Sequence, residues 1–337
     1  RILSLTPSPG PEKAPLKLCF WIASFIKMLT ISGYFSKIKI KNKVVALSSQ
    51  DMSKLLDLPR PVIDKIYEAK ALIEIKEKAL VAALSTRQLS NPFFEVKKSA
   101  FDSLLAQNPG RPLKMKFKVD ALLKSDYISQ NVVGYIEGKV EPDSFLVFSA
   151  HYDHLGSMGK SAYFPGANDN ASGVSMLLEL AQFYTQPENR PAYSMAFMAF
   201  GAEEVGLLGS KYYVEHPLFP LAQIKFLINM DLVGTGDEGA TVVNGLVFKD
   251  KFSLLTRLND QKKYLPEIKV RGFAANSDHF YFTESGVPSF FIYTLGGIKA
   301  YHDIYDRPET LPLTRYEGLF HLIQDFVKHL RQQRSQD

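Results

Sequence analysis

Cysteine is almost absent from this chain of 337 residues, with Cys19 standing alone. A single thiol excludes an intrachain disulfide framework and any metal site built on several thiolates, so an ion bound here must sit on histidine and carboxylate. Also missing is an uninterrupted apolar run of membrane-spanning length. The most apolar stretch, LKLCFWIASFIKMLTISGYF, is broken by Lys27 into pieces well under the ~18 to 20 residues a span needs, and it reads as a buried helix. No charged segment with a cleavage site precedes it and residue 1 is Arg, so an export leader is expected only upstream of the given sequence. The formal charge is +5, yet Lys and Arg are scattered and lack aromatic interleaving, which argues against a nucleic-acid groove. Internal repeats and low-complexity tracts are absent as well.

What is present is an ordinary globular composition, 46% hydrophobic, enough for one large domain or one domain with a smaller companion. From about residue 130, short apolar runs rich in β-branched and aromatic residues alternate with longer segments of helical period. That order predicts an α/β fold with a mostly parallel central sheet flanked by helices. The expected strands are NVVGYIEG, FLVFSA, YSMAFMAF, IKFLINM, ATVVNGLVF and PSFFIYT. The expected helices are ASGVSMLLELAQFY, GLLGSKYYVEH, DKFSLLTRLND, SDHFYFTES and TRYEGLFHLIQDFVKHL. Residues 40 to 115 differ: KIKNKVVALSS, then the helical-looking PRPVIDKIYEAKALIEIKEKALVAALS, then a Pro- and Gly-punctuated stretch ending at NPGRP. This region reads as a small inserted unit.

In open α/β sheets ligands sit outside the carboxyl ends of the strands, so the residues just past each apolar run are informative. His151 comes after FLVFSA, with Asp153 and His154 behind it; Glu203 and Glu204 come after YSMAFMAFGA; Asp231 comes after IKFLINM. Asp169 lies in GANDNASG just before a helix, and His302 in the loop after PSFFIYT. Singly, each has a plain reading. Asp169 caps a helix, Asp231 opens a turn toward Gly234, His151 is a satisfied interior histidine, and Glu203 and Glu204 form a solvated loop. Together, metal-type groups at one end of one sheet are hard to obtain by accident. A dinuclear zinc site needs one bridging carboxylate and two further ligands per ion. His151, Asp169, Glu204, Asp231 and His302 make that set. If the strand geometry lasts to residue 204, neighbouring side chains point apart; Glu203 is then free to act as a base toward water at the metals.

SAHYDHLG, PGANDNASGVSMLLELA, FGAEEVGLLGS, NMDLVG, SDHFYF and AYHDIYDRPET, in this order and at these spacings, resemble the M28 family of zinc aminopeptidases. The resemblance runs from about 130 to 330, with a weaker match at PGPEKAPLKLCFWIASFIKMLTISGYFSKIKI. It implies a zinc-exopeptidase fold of the phosphorylase/hydrolase-like kind. Residues 1–40 would be the first part of the catalytic domain, 41–115 a reduced protease-associated-like insert acting as a lid, and 116–337 the rest of the catalytic domain. Two zinc ions are implied, bridged by Asp169, with His151 and Asp231 completing one and Glu204 and His302 the other. Glu203 would be the general base and acid. Asp153 would accept from the ring nitrogen of His151 that does not bind metal, and Asp306 matches a family acid of less certain role. A cis peptide is implied after the bridging Asp169. Substrates would be peptides with a free N-terminus, cleaved one residue at a time. The family's common export implies an extracellular or periplasmic protein.

Ser277, Asp278, His279, Phe280 and Tyr301 are expected at the substrate pocket, with Ser277 or Asn276 also capping the helix of SDHFYF. One departure stands out: where some members have a tyrosine that holds the tetrahedral intermediate, this chain has Ala274, which leaves the oxyanion donor unassigned. Metal affinity is expected to fall below the ordinary histidine range, near pH ~6.5. Two other readings remain: a single-zinc glutaminyl cyclase of the same fold, and a binding protein that keeps the fold without its metals. Retention of all five ligand positions and the base argues against the second. The oligomeric state is left open.

Overall fold

A computed structural model describes residues 40–77, 80–110 and 113–330, and these fall into two compact units. The apolar stretch read as a buried helix, and all but the last residue of the expected segment 1–40, lie outside the described residues. Among the described residues no helix is long and apolar enough to cross a membrane.

The first unit holds residues up to Val81 and Ser85–Ser125. Its sheet has three parallel strands in the order β1 (Val44–Ser48), β2 (Ala71–Lys76) and β3 (Phe93–Lys97). Helices α1 (Ser49–Ser53) and α2 (Arg60–Ile66) lie between β1 and β2 in the chain, and α3 (Lys98–Gln107) comes after β3. Strand alternation sorts the core by face. Val45 and Leu47 pack with Leu55, Val62 and Ile66, whereas Val44 and Ala46 pack with Ile73, Phe101 and Leu113. The long helix suggested by PRPVIDKIYEAKALIEIKEK is not formed. Its second half, ALIEIK, is strand β2, whose first four residues are buried, a demand that a one-faced helix does not meet. Met115 and Phe117 pack against this unit's core, which is why the unit extends to Ser125 rather than ending at 115.

The second unit comprises Ala82–Leu84 and Asp126 onward. Seven strands form its sheet: β4 (Val132–Ile136), β5 (Glu141–His151), β8 (Tyr193–Phe200), β9 (Ile224–Met230), β10 (Gly239–Val243), β11 (Ile268–Val270) and β12 (Ser289–Leu295). Their spatial order is β11-β10-β12-β9-β5-β8-β4, and only the β10–β12 and β4–β8 pairs are antiparallel. A separate ribbon pairs β6 (Gly156–Met158) with β7 (Ala162–Phe164). The six expected strands are all present. ATVVNGLVF stops early, at Val243, because Asn244 takes a left-handed φ of 67° and turns the chain.

Five helices complete the unit: α4 (Ser172–Thr185), α5 (Leu208–Glu215), α6 (Lys249–Lys262), α7 (His279–Glu284) and α8 (Tyr316–Leu330). On one face of the sheet, Leu146, Phe148 and Ala150 of β5 join α4, α6 and α8; on the other, Phe145 and Val147 join α5 and α7. Helix α8 shows how pattern becomes packing. Leu319, Leu322, Ile323, Phe326, Val327 and Leu330 fall at helical spacing and are all buried. A ring such as Phe326, fully buried against Phe226 and Phe290, contributes roughly 1.5 to 3 kcal/mol by leaving water.

Candidate metal centre

Strand β5 delivers His151 at its carboxyl end, on the same face as Ser149 two residues earlier. Asp231 stands in the same relation to Asn229 at the end of β9. These pairs are joined to each other and to Ser277, just before α7: Ser149 Oγ donates to Asn229 Oδ1 at 2.7 Å and Asn229 Nδ2 to Ser277 Oγ at 2.7 Å. Ser277 Oγ in turn donates to Asp231 Oδ2 at 2.9 Å. Oδ1 of Asp231 is buried without a hydrogen bond and faces His151 Nε2 at 3.5 Å. An orphaned carboxylate oxygen of this kind calls for a cation.

The pocket-wall reading of Ser277, Asp278 and His279 is therefore corrected. All three are fully buried, and the serine hydroxyl is committed to Asp231. No side chain caps α7 either. Burial pushes the Asp278 carboxyl up to about 7 and the His279 imidazole down to about 4. Phe280 is half-buried against Phe273, and Tyr301 is partly exposed, its ring stacked on His302 at 4.0 Å between centroids.

Asp169 does not cap helix α4. That task falls to Asn170, whose Oδ1 accepts from Gly173 N at 3.0 Å while its Nδ2 donates to Met230 O at 3.0 Å. Gly173 is required here, since a Cβ would stand 2.3 Å from Asn170 Oδ1 and 2.4 Å from Met230 O. The peptide between Asp169 and Asn170 is cis, as the family resemblance implies. Asp306 holds the segment from its other side, accepting from Asn168 N at 2.8 Å and Asp169 N at 2.9 Å. Asp169 is left with both oxygens free for other partners.

Those partners define two trios. His151 Nε2 lies 3.3 Å from Asp169 Oδ1 and 3.5 Å from Asp231 Oδ1. His302 Nε2 lies 3.1 Å from Asp169 Oδ2 and 3.1 Å from Glu204 Oε2. A tetrahedral ion with bonds of about 2.0 to 2.1 Å has ligand-to-ligand edges of about 3.3 to 3.4 Å, and the imidazole-to-carboxylate edges of both trios are close to that length. Asp169 turns one oxygen to each. The same donors form overlapping groups, His151 with Glu203 and Asp231, and His154 with Asp169 and Glu204, the atoms of each lying within 4.8 Å of one another.

The imidazoles of His151 and His302 are oriented by backbone. His151 Nδ1 meets the main-chain carbonyl of Asp153 at 3.1 Å, and His302 Nδ1 meets the carbonyl of Ala82 at 3.1 Å, so each ring donates there and presents Nε2. Ala82 N also donates to His302 O at 2.9 Å. The carboxylate of Asp153 is not the acceptor expected for His151, its nearer oxygen being 3.8 Å from Nδ1. Instead its oxygens accept from Glu203 N at 3.1 Å and Glu204 N at 3.2 Å. Those two acids stand in a turn, not an extended segment. The strand ends at Phe200 and Ala202 takes a φ of 58°, so the turn, clamped by Asp153, sends the side chains apart.

Without an ion the histidines are held protonated. Burial opposes a charge on His151, but Asp231 and Asp169 outweigh it and hold the imidazole well above its usual range. Burial likewise opposes a charge on His302, while its bonds with Asp169 and Glu204 raise it to about 10. Despite burial, those histidines keep Asp169 below the usual carboxylate range, and His154 with His302 does the same for Glu204. Glu203 goes the other way: burial, then the charges of Asp231, Asp278 and Glu204, push it up to about 9.

The fold and the clustered histidines and carboxylates define an α/β sheet protein with a candidate metal centre beside the carboxyl ends of its central strands. The model of peptidase family M28 matches residues 131–327, and the chain belongs to this family. It is similar to aminopeptidase YwaD of Bacillus subtilis, 29% identical over 276 residues, which is 80% of this chain and 54% of that protein. The chain thus spans about half the length of that curated relative. Among solved structures it resembles a zinc aminopeptidase from Bacillus subtilis, with 27% identity and a TM-score of 0.62, covering 88% of this chain and 72% of that one. The likeness to a Porphyromonas gingivalis glutaminyl cyclase, TM-score 0.50 at 19% identity over 59% of this chain and 76% of that one, concerns the fold alone.

Proposed function

We propose that the protein is a zinc aminopeptidase that binds two zinc ions and hydrolyses the first peptide bond of substrates with a free N-terminus. The observation that carries this reading is Asp169, whose two oxygens each meet the Nε2 of a different histidine, at 3.3 and 3.1 Å. His151, Asp169 and Asp231 would hold one ion, and His302, Asp169 and Glu204 the other. When bound, zinc supplies Lewis-acid polarisation of the scissile carbonyl and lowers the pKa of water. Glu203 takes the proton from water and returns it to the leaving amine, its carboxylate lying beside His151 and Asp231 within 4.8 Å. The unassigned oxyanion donor would be Tyr301, whose ring stacks on that of His302 at 4.0 Å. Burial, then the charges of Asp169, Asp231, Glu204 and Glu203, keep its phenol protonated, so it can donate. The first unit would serve as a reduced protease-associated-like lid, and the protein would be exported.

The test is metal content with activity. Two zinc ions per chain by plasma emission, and release of amino-acid anilides that is lost to a chelator and restored by zinc, are expected. One ion per chain with cyclisation of N-terminal glutamine would replace this reading with the cyclase.

Zinc affinity should rise steeply with pH. Ion-free, His151 and His302 carry protons at neutral pH, and zinc must displace both. Each displaced proton adds up to about tenfold in affinity per pH unit. Because the carboxylates raise His302 to about 10, the dependence continues above neutrality instead of ending near the ordinary histidine range. The same raised value contributes stability to the ion-free fold that is complete below about pH 6.5 and lost as pH rises through about 10. Competition against a chelator of known affinity between about pH 6.5 and 8.5 checks the slope. A flat profile would show that the histidines are already neutral.

A further inference from the structure

His154 lies next to the trios but in neither of them. Its Nδ1 is 2.7 Å from Glu204 Oε1, its Nε2 is buried without a hydrogen-bond partner, and its ring meets that of His302 edge-on at 5.9 Å. The backbone at Gly166 abuts the ring: a Cβ there would stand 2.6 Å from His154 Cγ, and φ is +65°. No side chain fits between them. The ring is thus fixed in place with one polar contact, the carboxylate of a metal ligand.

The separation decides what kind of contact this is. At 2.7 Å, Nδ1 and Oε1 are at charge-assisted hydrogen-bond distance, well inside the about 3.3 Å edge of two ligands sharing one tetrahedral ion. The other oxygen, Oε2, is the one turned to His302 Nε2. We infer that His154 is a positioning residue for the second metal site: its Nδ1–H occupies Oε1 of Glu204 and leaves Oε2 alone for the ion. The inference rests on the proposed two-ion site and deepens it. With the donor removed, the carboxylate is free to rotate and to offer both oxygens, so affinity and coordination number change together.

The experiment uses the full chain with zinc and, separately, cobalt. His154→Phe keeps a ring against Gly166 and removes the donor. His154→Asn places its amide nitrogen where Nδ1 was, and His154→Gln places it where Nε2 was. The expected result is two ions in the parent, the weaker of them bound about 10- to 100-fold less tightly in His154→Phe, the range typical of losing a partner behind a ligand. The cobalt spectrum of that variant should weaken, as a freed carboxylate oxygen adds to the coordination shell. His154→Asn should recover most of the affinity and the spectrum; His154→Gln should not. Unchanged affinity and spectrum in His154→Phe would overturn the inference, as would equal rescue by Asn and Gln. Complete loss of the second ion in both His154→Phe and His154→Asn would also overturn it, by making His154 a ligand. A parent that binds fewer than two ions would instead overturn the two-ion reading itself, so the two failures are distinct.

Discussion

Glu203→Gln is expected to keep its full complement of metal and to lose turnover by about 10² to 10⁴-fold. Glutamine matches glutamate in size, and the clamp from Asp153 acts on the backbone of residue 203, not on its side chain, so the turn survives the change. What disappears is the group that accepts a proton. Glu204→Gln, one residue on, should behave differently. Its Oε2 belongs to the His302 trio and its Oε1 receives His154, so metal should be lost along with activity. Measuring zinc per chain beside kcat for both variants separates the roles of two adjacent acids. Near-normal turnover in Glu203→Gln with unchanged metal would remove Glu203 as the base.

The second large effect is expected at Tyr301. Replacing it with phenylalanine keeps the ring stacked on His302, at 4.0 Å and 14° in the parent, and deletes only the hydroxyl. If that hydroxyl meets the charge that develops on the scissile carbonyl, kcat should fall by about 10² to 10³-fold while KM and zinc content stay near the parent values. A transition-state analogue should bind more weakly by a comparable factor, and a substrate analogue should not. Turnover within about threefold of the parent would return the oxyanion to the ions alone.

The strands of the second unit are legible because short continuous apolar runs, buried on both faces in the central strands, and the polar residues closing them are both written locally. The candidate ligands His151 and Asp231 come with them, since the carboxyl end of a strand can be read without knowing its neighbours. Less legible are the residues that hold the ligands. Ser277 reads as a cap or a pocket wall because its partner, Asp231, is distant in sequence and meets it only when α7 packs beside β9. Asp306 and Ala82 reach their partners across still longer separations. Part of this is nevertheless available. Ser149 and Asn229 each precede a ligand by two residues, and strand alternation alone puts each pair on one face. An extended backbone predicts that Glu203 and Glu204 diverge, and they do so for another reason, the left-handed turn at Ala202.

The pairing of Ala82 with His302 bears on where a gene for this protein can be cut. The unit that carries the trios is discontinuous: Ala82–Leu84 belongs to it, while the chain on either side does not. A fragment started at Asp126 would contain all five candidate ligands and would still lack the carbonyl that selects the tautomer of one of them. Fusing or exchanging the first unit by a single junction near residue 126 would remove that carbonyl just as surely. Recombinant boundaries should therefore be chosen by hydrogen-bond partners as well as by sequence similarity, and a transplanted catalytic unit should carry its three-residue outlier with it.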